Sequence, residues 1–249
     1  MHGRGSPARA KRTAARGKSP PPVAPSDARC SVGAPPQGMP ERRWAILNAA
    51  YAVLIEKGYR GTSMIEIARR ANASKETLYA WFGSKDGMFA EMIRSGTSDL
   101  FDEIGAALAA PGRPVRAALT QFAANLLTLI TRPHVVAVHR AAIAEAGASP
   151  DLARILWENG RGRVVPALAT FMAREAEAGR LDVPDVPEAC AVLIGLVIRN
   201  TQQALLLGMA ETPTDREIAA QAASAAEMFL TLYGSRRRRA LRSARGASR

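Results

Sequence analysis

Apolar residues recur every three or four positions along most of this 249-residue chain, a spacing that is typical of amphipathic α-helices. The sequence has no sustained apolar–polar alternation enriched in Val, Ile and Thr, so it predicts an all-α protein. Gly, Pro and Asn residues divide the pattern. Gly160, Gly162 and Pro166 are expected to kink or split the helix that is predicted over residues 150–178. About nine helices are predicted, over residues 41–57, 64–71, 75–82, 85–108, 114–130, 133–146, 150–178, 188–207 and 214–233.

Residues 62–85 contain two short helical patterns joined by a three-residue break. Ser63 and Glu66 form an S-x-x-E capping box, in which each side chain can bond to the other's backbone amide. Asn72 opens the break, since asparagine tolerates the left-handed conformation of a tight turn. Ser74 is a good N-cap for the helix that follows. Together these signals predict a helix-turn-helix.

The second helix of this pair has two different faces. Leu78, Trp81 and Phe82 are expected to point inward. The outward side chains are mostly near its N-terminus: Lys75, Glu76, Thr77, Tyr79 and Ala80. This arrangement suits a recognition helix in the major groove of DNA, where N-terminal side chains meet base edges.

The segment carries a set of residues in a fixed register: Gly58-Tyr59, Thr62-Ser63, Ile67-Ala68, Ser74, Thr77-Leu78-Tyr79, Phe82 and Ser84-Lys85. In these positions residues 41–85 resemble the DNA-binding domain of TetR-type bacterial transcriptional regulators. The resemblance implies a three-helix DNA-binding domain followed by a helical ligand-binding and dimerisation domain. Two residues depart from the family pattern: Asn72 stands where Gly is usual, and Glu76 stands where small residues are common.

The roles of these residues on DNA follow from the resemblance and from helix geometry, since phosphate contacts fix register and base contacts specify sequence. Phosphate contacts are assigned to Thr62, Ser74, Tyr79 and Lys85. Trp81 is expected to share its surface between the core and the DNA backbone. Base edges are assigned to Lys75, Glu76 and Thr77, whose side chains suit guanine, cytosine and the thymine methyl group respectively.

The net charge of +12 at pH 7 is unevenly distributed. Residues 1–40 carry seven basic residues and one acidic residue, and residues 235–249 carry seven arginines. Residues 41–85 hold eight basic and four acidic residues, which leaves residues 86–234 at −5. This distribution is typical of a DNA-reading domain joined to a domain with another task.

The two ends of the chain read as tails. Residues 1–40 are expected to be a disordered basic tail, which contacts phosphate non-specifically, serves only as a solubilising extension, or results from a misassigned start codon. Residues 235–249 are expected to be a disordered Arg-rich tail. The longest apolar run is too short to span a bilayer, and the two cysteines suggest no disulfide framework, so a cytoplasmic protein is expected.

Residues 86–234 are expected to form the effector-binding and dimerisation domain. Residues 188–207 are apolar nearly all round, so burying one face cannot satisfy them. Residues 214–233 carry one stripe of apolar residues: Ile218, Ala222, Ala225, Ala226 and Phe229. These two helices predict a four-helix homodimer interface, with ordinary burial inside one subunit as the alternative. A dimer would place two recognition helices roughly 34–36 Å apart on a near-palindromic operator.

Within the TetR-type resemblance, a small molecule enters the helical domain and changes the spacing of the two DNA-binding heads. Residues 149–160 and 164–181 resemble the AefR-like branch of the family. Apolar residues that could line an effector pocket are Phe101, Phe122, Leu126, Trp157, Phe171 and Met172. Polar contacts are assigned to Asn200 and Gln203. Plain core positions are the alternative for each of these residues.

The favoured function is a ligand-responsive repressor that binds its operator as a dimer and is released by a small apolar effector. An enzyme is disfavoured, because His134 and His139 do not share a helical face and the sequence holds no metal-ligand, triad or phosphate-loop motif. No catalytic residue, metal or cofactor is therefore expected. A helical dimer that acts through protein partners, with degenerate DNA binding, remains the alternative, and Asn72 and Glu76 are the features that favour it.

Overall fold

The computed structural model describes residues 35–235, and its twelve helices within that range confirm the all-α prediction. The helices are α1 (Glu41–Gly61), α2 (Met64–Arg70), α3 (Lys75–Phe82), α4 (Lys85–Ser95), α5 (Ser98–Ala109), α6 (Val115–Thr131), α7 (Pro133–Glu145), α8 (Asp151–Asn159), α9 (Arg161–Glu177), α10 (Val186–Ile198), α11 (Thr201–Leu206) and α12 (Asp215–Tyr233). The predicted tails lie almost entirely at residues 1–34 and 236–249, outside the described residues. Within the described range, every helix is too short or too polar to pass through a bilayer.

The prediction of nine helices is too low, because three of the predicted helices are each divided in two. Thr97 leaves the helical conformation between α4 and α5, with φ −134° and ψ 2°. Gly160, with φ −102° and ψ −91°, separates α8 from α9, which confirms the predicted split of that helix. Arg199, with φ 48° and ψ −130°, separates α10 from α11. The Gln221 side chain bonds to the carbonyl of Val197 beside that last break, at 2.7 Å.

Serine caps start the three helices that follow α1. Ser63, Ser74 and Ser84 each accept a hydrogen bond from the backbone amide three residues on, at 3.2, 3.1 and 3.0 Å. The predicted Ser63 box forms in one direction, since the carboxylate of Glu66 pairs with Lys57 and Arg69 instead. A second capping box, between Thr214 and Glu217 at the start of α12, forms in both directions.

The apolar faces of α1 to α4 meet in one hydrophobic cluster, which also includes residues of α7 and α8. Its fully buried members include Ile46, Leu54, Ile67, Leu78 and Phe89. A second cluster fills the space between α5, α6, α9, α10 and α12. The structure is therefore two packed cores, and α7 and α8 contribute to the core under the helix-turn-helix.

The predicted apolar stripe on α12 is buried inside the subunit. Its members, Ile218, Ala222, Ala225, Ala226 and Phe229, are at most 8% exposed in the single chain. They pack in the core cluster that contains α6 and α10. For this stripe the alternative, ordinary burial inside one subunit, is the observed arrangement. The outer faces of the same helices stay open, with Ala191 and Gly195 on α10 and Ala220 and Ala223 on α12 exposed.

Two contacts tie α1 to α7, and a third joins α1 to α4. The hydroxyl of Tyr51 on α1 donates to the carbonyl of His134 on α7, at 3.2 Å. The carboxylate of Glu145, at the end of α7, accepts from the backbone amide of Arg60 at 2.9 and 3.1 Å. Tyr59 donates to the carboxylate of Asp86 at the start of α4.

Candidate DNA-binding surface and effector cavity

The outer face of α3 presents the side chains predicted to meet DNA. Lys75, Glu76 and Tyr79 are exposed, and the Lys75 ammonium lies 5.5 Å from the centre of the Tyr79 ring. Thr77 is half-buried, and its hydroxyl lies 3.0 Å from that of Ser74. A hydrogen bond from its own backbone amide and one from Ser74 hold the pKa of Glu76 below its usual range. Glu76 is therefore ionised at neutral pH and presents a hydrogen-bond acceptor on this face.

Trp81 and Phe82, both predicted to point inward, differ in how deeply they are buried. Phe82 is 8% exposed and belongs to the core, whereas Trp81 is 36% exposed, so the inward position predicted for Trp81 holds only in part. The guanidinium of Arg43 lies 4.8 Å from the Phe82 ring centre and 5.7 Å from that of Trp81. Arg43 also donates to the Trp81 carbonyl at 3.0 Å and pairs with Glu91 on α4. This one arginine joins α1, α3 and α4 beneath the recognition helix.

The predicted phosphate contacts Thr62 and Lys85 lie deeper than Ser74 and Tyr79. Thr62 is 3% exposed, and its hydroxyl donates to the carbonyl of Gly58 at 2.7 Å. Lys85 is half-buried, and its ammonium donates to the carbonyls of Tyr59 and Thr62 at 3.0 and 3.4 Å. The ammonium also lies 4.0 Å from the centre of the Tyr59 ring.

The turn between α2 and α3 adopts the expected backbone shape. Asn72 has φ +49°, in the left-handed region that asparagine tolerates better than most residues. Its carbonyl accepts a hydrogen bond from Arg42 of α1. The departure from Gly at this position therefore leaves the turn intact.

A cavity of about 430 Å³ lies where α1 and α4 meet α7, α8, α9 and α10. This volume is within the range of pockets that hold drug-sized ligands. Most of its wall is apolar, including Met92, Ile93, Leu129, Val135 and Val164. Tyr51 lines it from α1, so the effector cavity (the space bounded by these residues) touches the DNA-binding half directly.

Three of the residues predicted to line an effector pocket do so: Phe101, Leu126 and Trp157. Phe122, Phe171 and Met172 lie elsewhere, in the packed core, and each is at most 2% exposed. Asn200 and Gln203 are exposed outside the cavity, and the neighbouring Gln202 faces it instead. The break at Arg199 explains this, because it resets which residues of α11 point inward.

Sequence reasoning missed the polar part of the wall. His134, His139 and Gln202 line the cavity together with Thr97. The available signal was the presence of two imidazoles in segment 133–146, where Arg140 and Glu145 are the other ionisable residues.

Backbone carbonyls fix the proton position in both imidazoles. His139 Nδ1 lies 2.8 Å from the carbonyl of Val135, and His134 Nε2 lies 3.1 Å from that of Gly96. A carbonyl only accepts, so these two nitrogens carry the protons. Burial lowers the pKa of both histidines below 6.5, which keeps the rings neutral at pH 7.

The two buried histidines predict a loss of stability in mild acid. Because their pKa is lower in the folded state, the unfolded chain binds more protons as the pH falls below about 6.5. The free energy of unfolding should therefore decrease from pH 7.5 to pH 5.5, by up to about 1.4 kcal/mol per pH unit for each histidine. Urea denaturation at several pH values measures it. The variant His139→Gln should give a shallower slope, and an unchanged slope would contradict the assignment.

The sequence matches two protein families. Residues 46–92 match the family described as bacterial regulatory proteins, tetR family. Residues 117–235 match the AefR-like transcriptional repressor, C-terminal domain. The first match covers the helix-turn-helix and the second covers most of the cavity wall.

Individual proteins of similar sequence or structure support the same family. The HTH-type transcriptional regulator BetI of Agrobacterium fabrum (strain C58 / ATCC 33970) is 31% identical over 179 residues, or 70% of this chain and 84% of that protein. A putative TetR-family regulator from Mesorhizobium loti MAFF303099 is 28% identical and superposes with a TM-score of 0.66, over 78% of this chain and 97% of that one. The flavonoid-responsive regulator FrrA is 29% identical, with a TM-score of 0.63 over 79% and 98% of the two chains.

Proposed function

Since this chain belongs to the TetR family of bacterial transcriptional regulators, we propose that it is a ligand-responsive repressor that binds a near-palindromic operator as a dimer. The observation that carries the proposal is the position of the cavity. It is bounded on one side by α1 and α4, which also support the recognition helix. A molecule in the cavity therefore presses on the elements that position α3. Repression is the simpler sign of control, because a repressor needs only to occupy a promoter.

On the DNA, α3 enters the major groove with its N-terminal end first. Lys75, Glu76 and Thr77 read base edges, and Ser74 and Tyr79 contact phosphate. Lys85 adds one phosphate contact through its half-buried ammonium. Thr62 acts from beneath by holding the carbonyl of Gly58, and Trp81 offers its exposed third to the DNA backbone. These roles follow the family resemblance, and the exposure of Ser74, Lys75, Glu76 and Tyr79 supports them.

The two lysines should fail in different ways when replaced by alanine. Lys75→Ala should weaken operator binding by about 1–3 kcal/mol and leave scrambled DNA nearly unaffected, because it removes a base contact. Lys85→Ala should weaken binding to both DNAs alike, because it removes a phosphate contact. Fluorescence anisotropy on both DNAs measures the difference. Thermal unfolding runs beside it, since Lys85 also bonds to two backbone carbonyls. If both variants lose the same affinity for operator DNA and for scrambled DNA, this assignment of base and phosphate contacts is wrong.

Dimerisation uses the outer faces of α10 and α12. Exposed small side chains at Ala191, Gly195, Ala220 and Ala223 let a second pair of helices approach closely. Half-buried Val192 and Leu196 add apolar area beside them. Four helices, two from each subunit, then form the interface, with the inner stripe of α12 left inside its own subunit.

The effector is a small apolar molecule that enters the cavity and lowers operator affinity. The mostly apolar wall and the volume support this class of ligand. Among similar proteins, FrrA is described as flavonoid-responsive. A planar aromatic effector also fits a wall that contains Phe101, Trp157 and Tyr51.

The experiment that tests the function is a salt-dependent anisotropy titration on the DNA upstream of the protein's own gene, with scrambled DNA as the control. The full chain is compared with residues 35–235, because arginine-rich ends bind DNA without specificity. A preference of roughly 10³ or more for the upstream DNA by the shorter chain supports the regulator. Equal binding to both DNAs, by the full chain alone, would contradict it at this site and call for a genome-wide binding survey.

A further inference from the structure

Gln202 and His139 form a polar pair in the wall of the effector cavity. The Val135 carbonyl holds the proton of His139 on Nδ1, so Nε2 offers a lone pair. The side-chain nitrogen of Gln202 lies 3.4 Å from that Nε2, at the long end of the hydrogen-bond range. An acceptor and a donor are thus placed side by side in an apolar surrounding.

One atom of a ligand can satisfy both members of this pair. Two atoms 3.4 Å apart can each lie about 2.8 Å from a common third atom, a normal hydrogen-bond distance. That third atom must donate to the imidazole and accept from the amide. A hydroxyl oxygen does both, whereas an ether or ketone oxygen only accepts.

The other residues of the cavity wall favour a ligand with an aromatic body and no charge. The side chains of Tyr51, Phe101 and Trp157 offer aromatic surface for an aromatic body. The imidazoles are neutral and most other lining groups are apolar, so a charged group placed beside the pair would lose its hydration. Arg161 is the charged side chain in the wall. A neutral ring compound therefore suits the pair, and a carboxylate would have to bind Arg161 instead.

We propose that the His139–Gln202 pair reads a hydroxyl group, so that the effector is an apolar phenol. This inference rests on the proposed function, because it names the ligand class of the same cavity. The phenol oxygen donates to His139 Nε2 and accepts from Gln202, and its ring lies against the aromatic wall. The direct contact between the two side chains is replaced by two bonds to the ligand.

The test is a calorimetric titration of the full chain at pH 7.5 with four matched probes: 2-naphthol, 2-methoxynaphthalene, naphthalene and 2-naphthoate. The phenol should bind at least tenfold more tightly than its methyl ether and than naphthalene. In Gln202→Leu and His139→Leu that ratio should fall to about one. Gln203→Leu is the matched control, since Gln203 is the exposed neighbour and should keep the wild-type ratio. Two separate variants are used so that a folding defect in one leaves the other to decide.

Several results would overturn the inference. The ether or naphthalene could bind as well as the phenol, the ratio could survive both leucine variants, or none of the probes could bind. Tightest binding of 2-naphthoate would instead place the recognition at Arg161, which also lines the cavity. The proposed function is judged separately by operator binding without any probe. If the ether and naphthalene release operator DNA as well as the phenol does, the protein is still a ligand-responsive regulator. Only the proposal that His139 and Gln202 recognise a hydroxyl group is then rejected.

Discussion

Replacing Gly195 by arginine is expected to turn the dimer into monomers and to lower operator affinity by roughly 10²–10⁴-fold, the gain that linking two binding heads provides. The reason is the position of this glycine on the outer face of α10. A Cβ built at Gly195 meets no atom within 4 Å, so the single subunit has room for a side chain there. Arginine is also a better helix former than glycine, so the fold of the subunit should not suffer. A large charged side chain would nevertheless separate the two helix pairs.

Sedimentation and operator binding measure the outcome together. The matched control is Ala106→Arg, which places the same side chain on an exposed position of α5, a helix that packs mainly on α6 and α9. The control should remain a dimer with wild-type affinity. A Gly195→Arg protein that stays dimeric would show that another surface holds the subunits together.

Replacing Glu145 by alanine is expected to leave effector binding nearly unchanged and to abolish its effect on DNA. Glu145 ends α7, and its neighbours Ala142, Ile143 and Ala146 line the cavity. Its carboxylate bonds to the backbone amide of Arg60, just before the helix-turn-helix. A shift of α7 around a ligand therefore pulls on the segment that carries α2 and α3. Without the carboxylate, the usual 5–150-fold coupling between two sites, about 1–3 kcal/mol, should fall to near one.

This prediction needs two titrations for each variant: effector into protein, and protein into operator with and without saturating effector. Glu158→Ala on α8 serves as the control, because Glu158 is an exposed glutamate that pairs only with Arg154 among the described residues. It should release DNA as the wild type does. Normal release by Glu145→Ala would move the coupling to another contact, such as that between Tyr51 and His134.

The helix-turn-helix could be predicted closely because its signals are local. Ser63 and Ser74 cap helices within three residues, and Asn72 takes the left-handed turn by its own conformational preference. Such signals depend on neighbours in sequence and need no knowledge of the tertiary structure. The exposed face of α3 followed from the same short segment.

The cavity could be predicted only in part because its wall depends on distant contacts. Arg199 breaks the helix although it is neither Gly nor Pro, the usual markers of a break. The prediction of one continuous helix over residues 188–207 therefore assigned Gln203 to the cavity instead of Gln202. Aromatic residues such as Phe122 and Phe171 carry the same apolar signal whether they face a core or a cavity. The spacing of apolar residues predicts that one face of a helix is buried. On α12 it did not distinguish burial by helices of the same subunit from burial by a partner subunit.

The sharing of α7 and α8 between the two halves has a consequence for how such regulators can be recombined. The hydrophobic cluster beneath the helix-turn-helix contains Val138 and Ala142 of α7 and Leu152 and Ile155 of α8. A chimaera joined at residue 85, with one protein's DNA reader and another's sensor, would cut through this single core. The graft would succeed only where the incoming α7 and α8 carry side chains of matching volume. The segments that must be exchanged together are therefore discontinuous in sequence, since α7 and α8, which follow position 132, have to be transferred with α1 to α4.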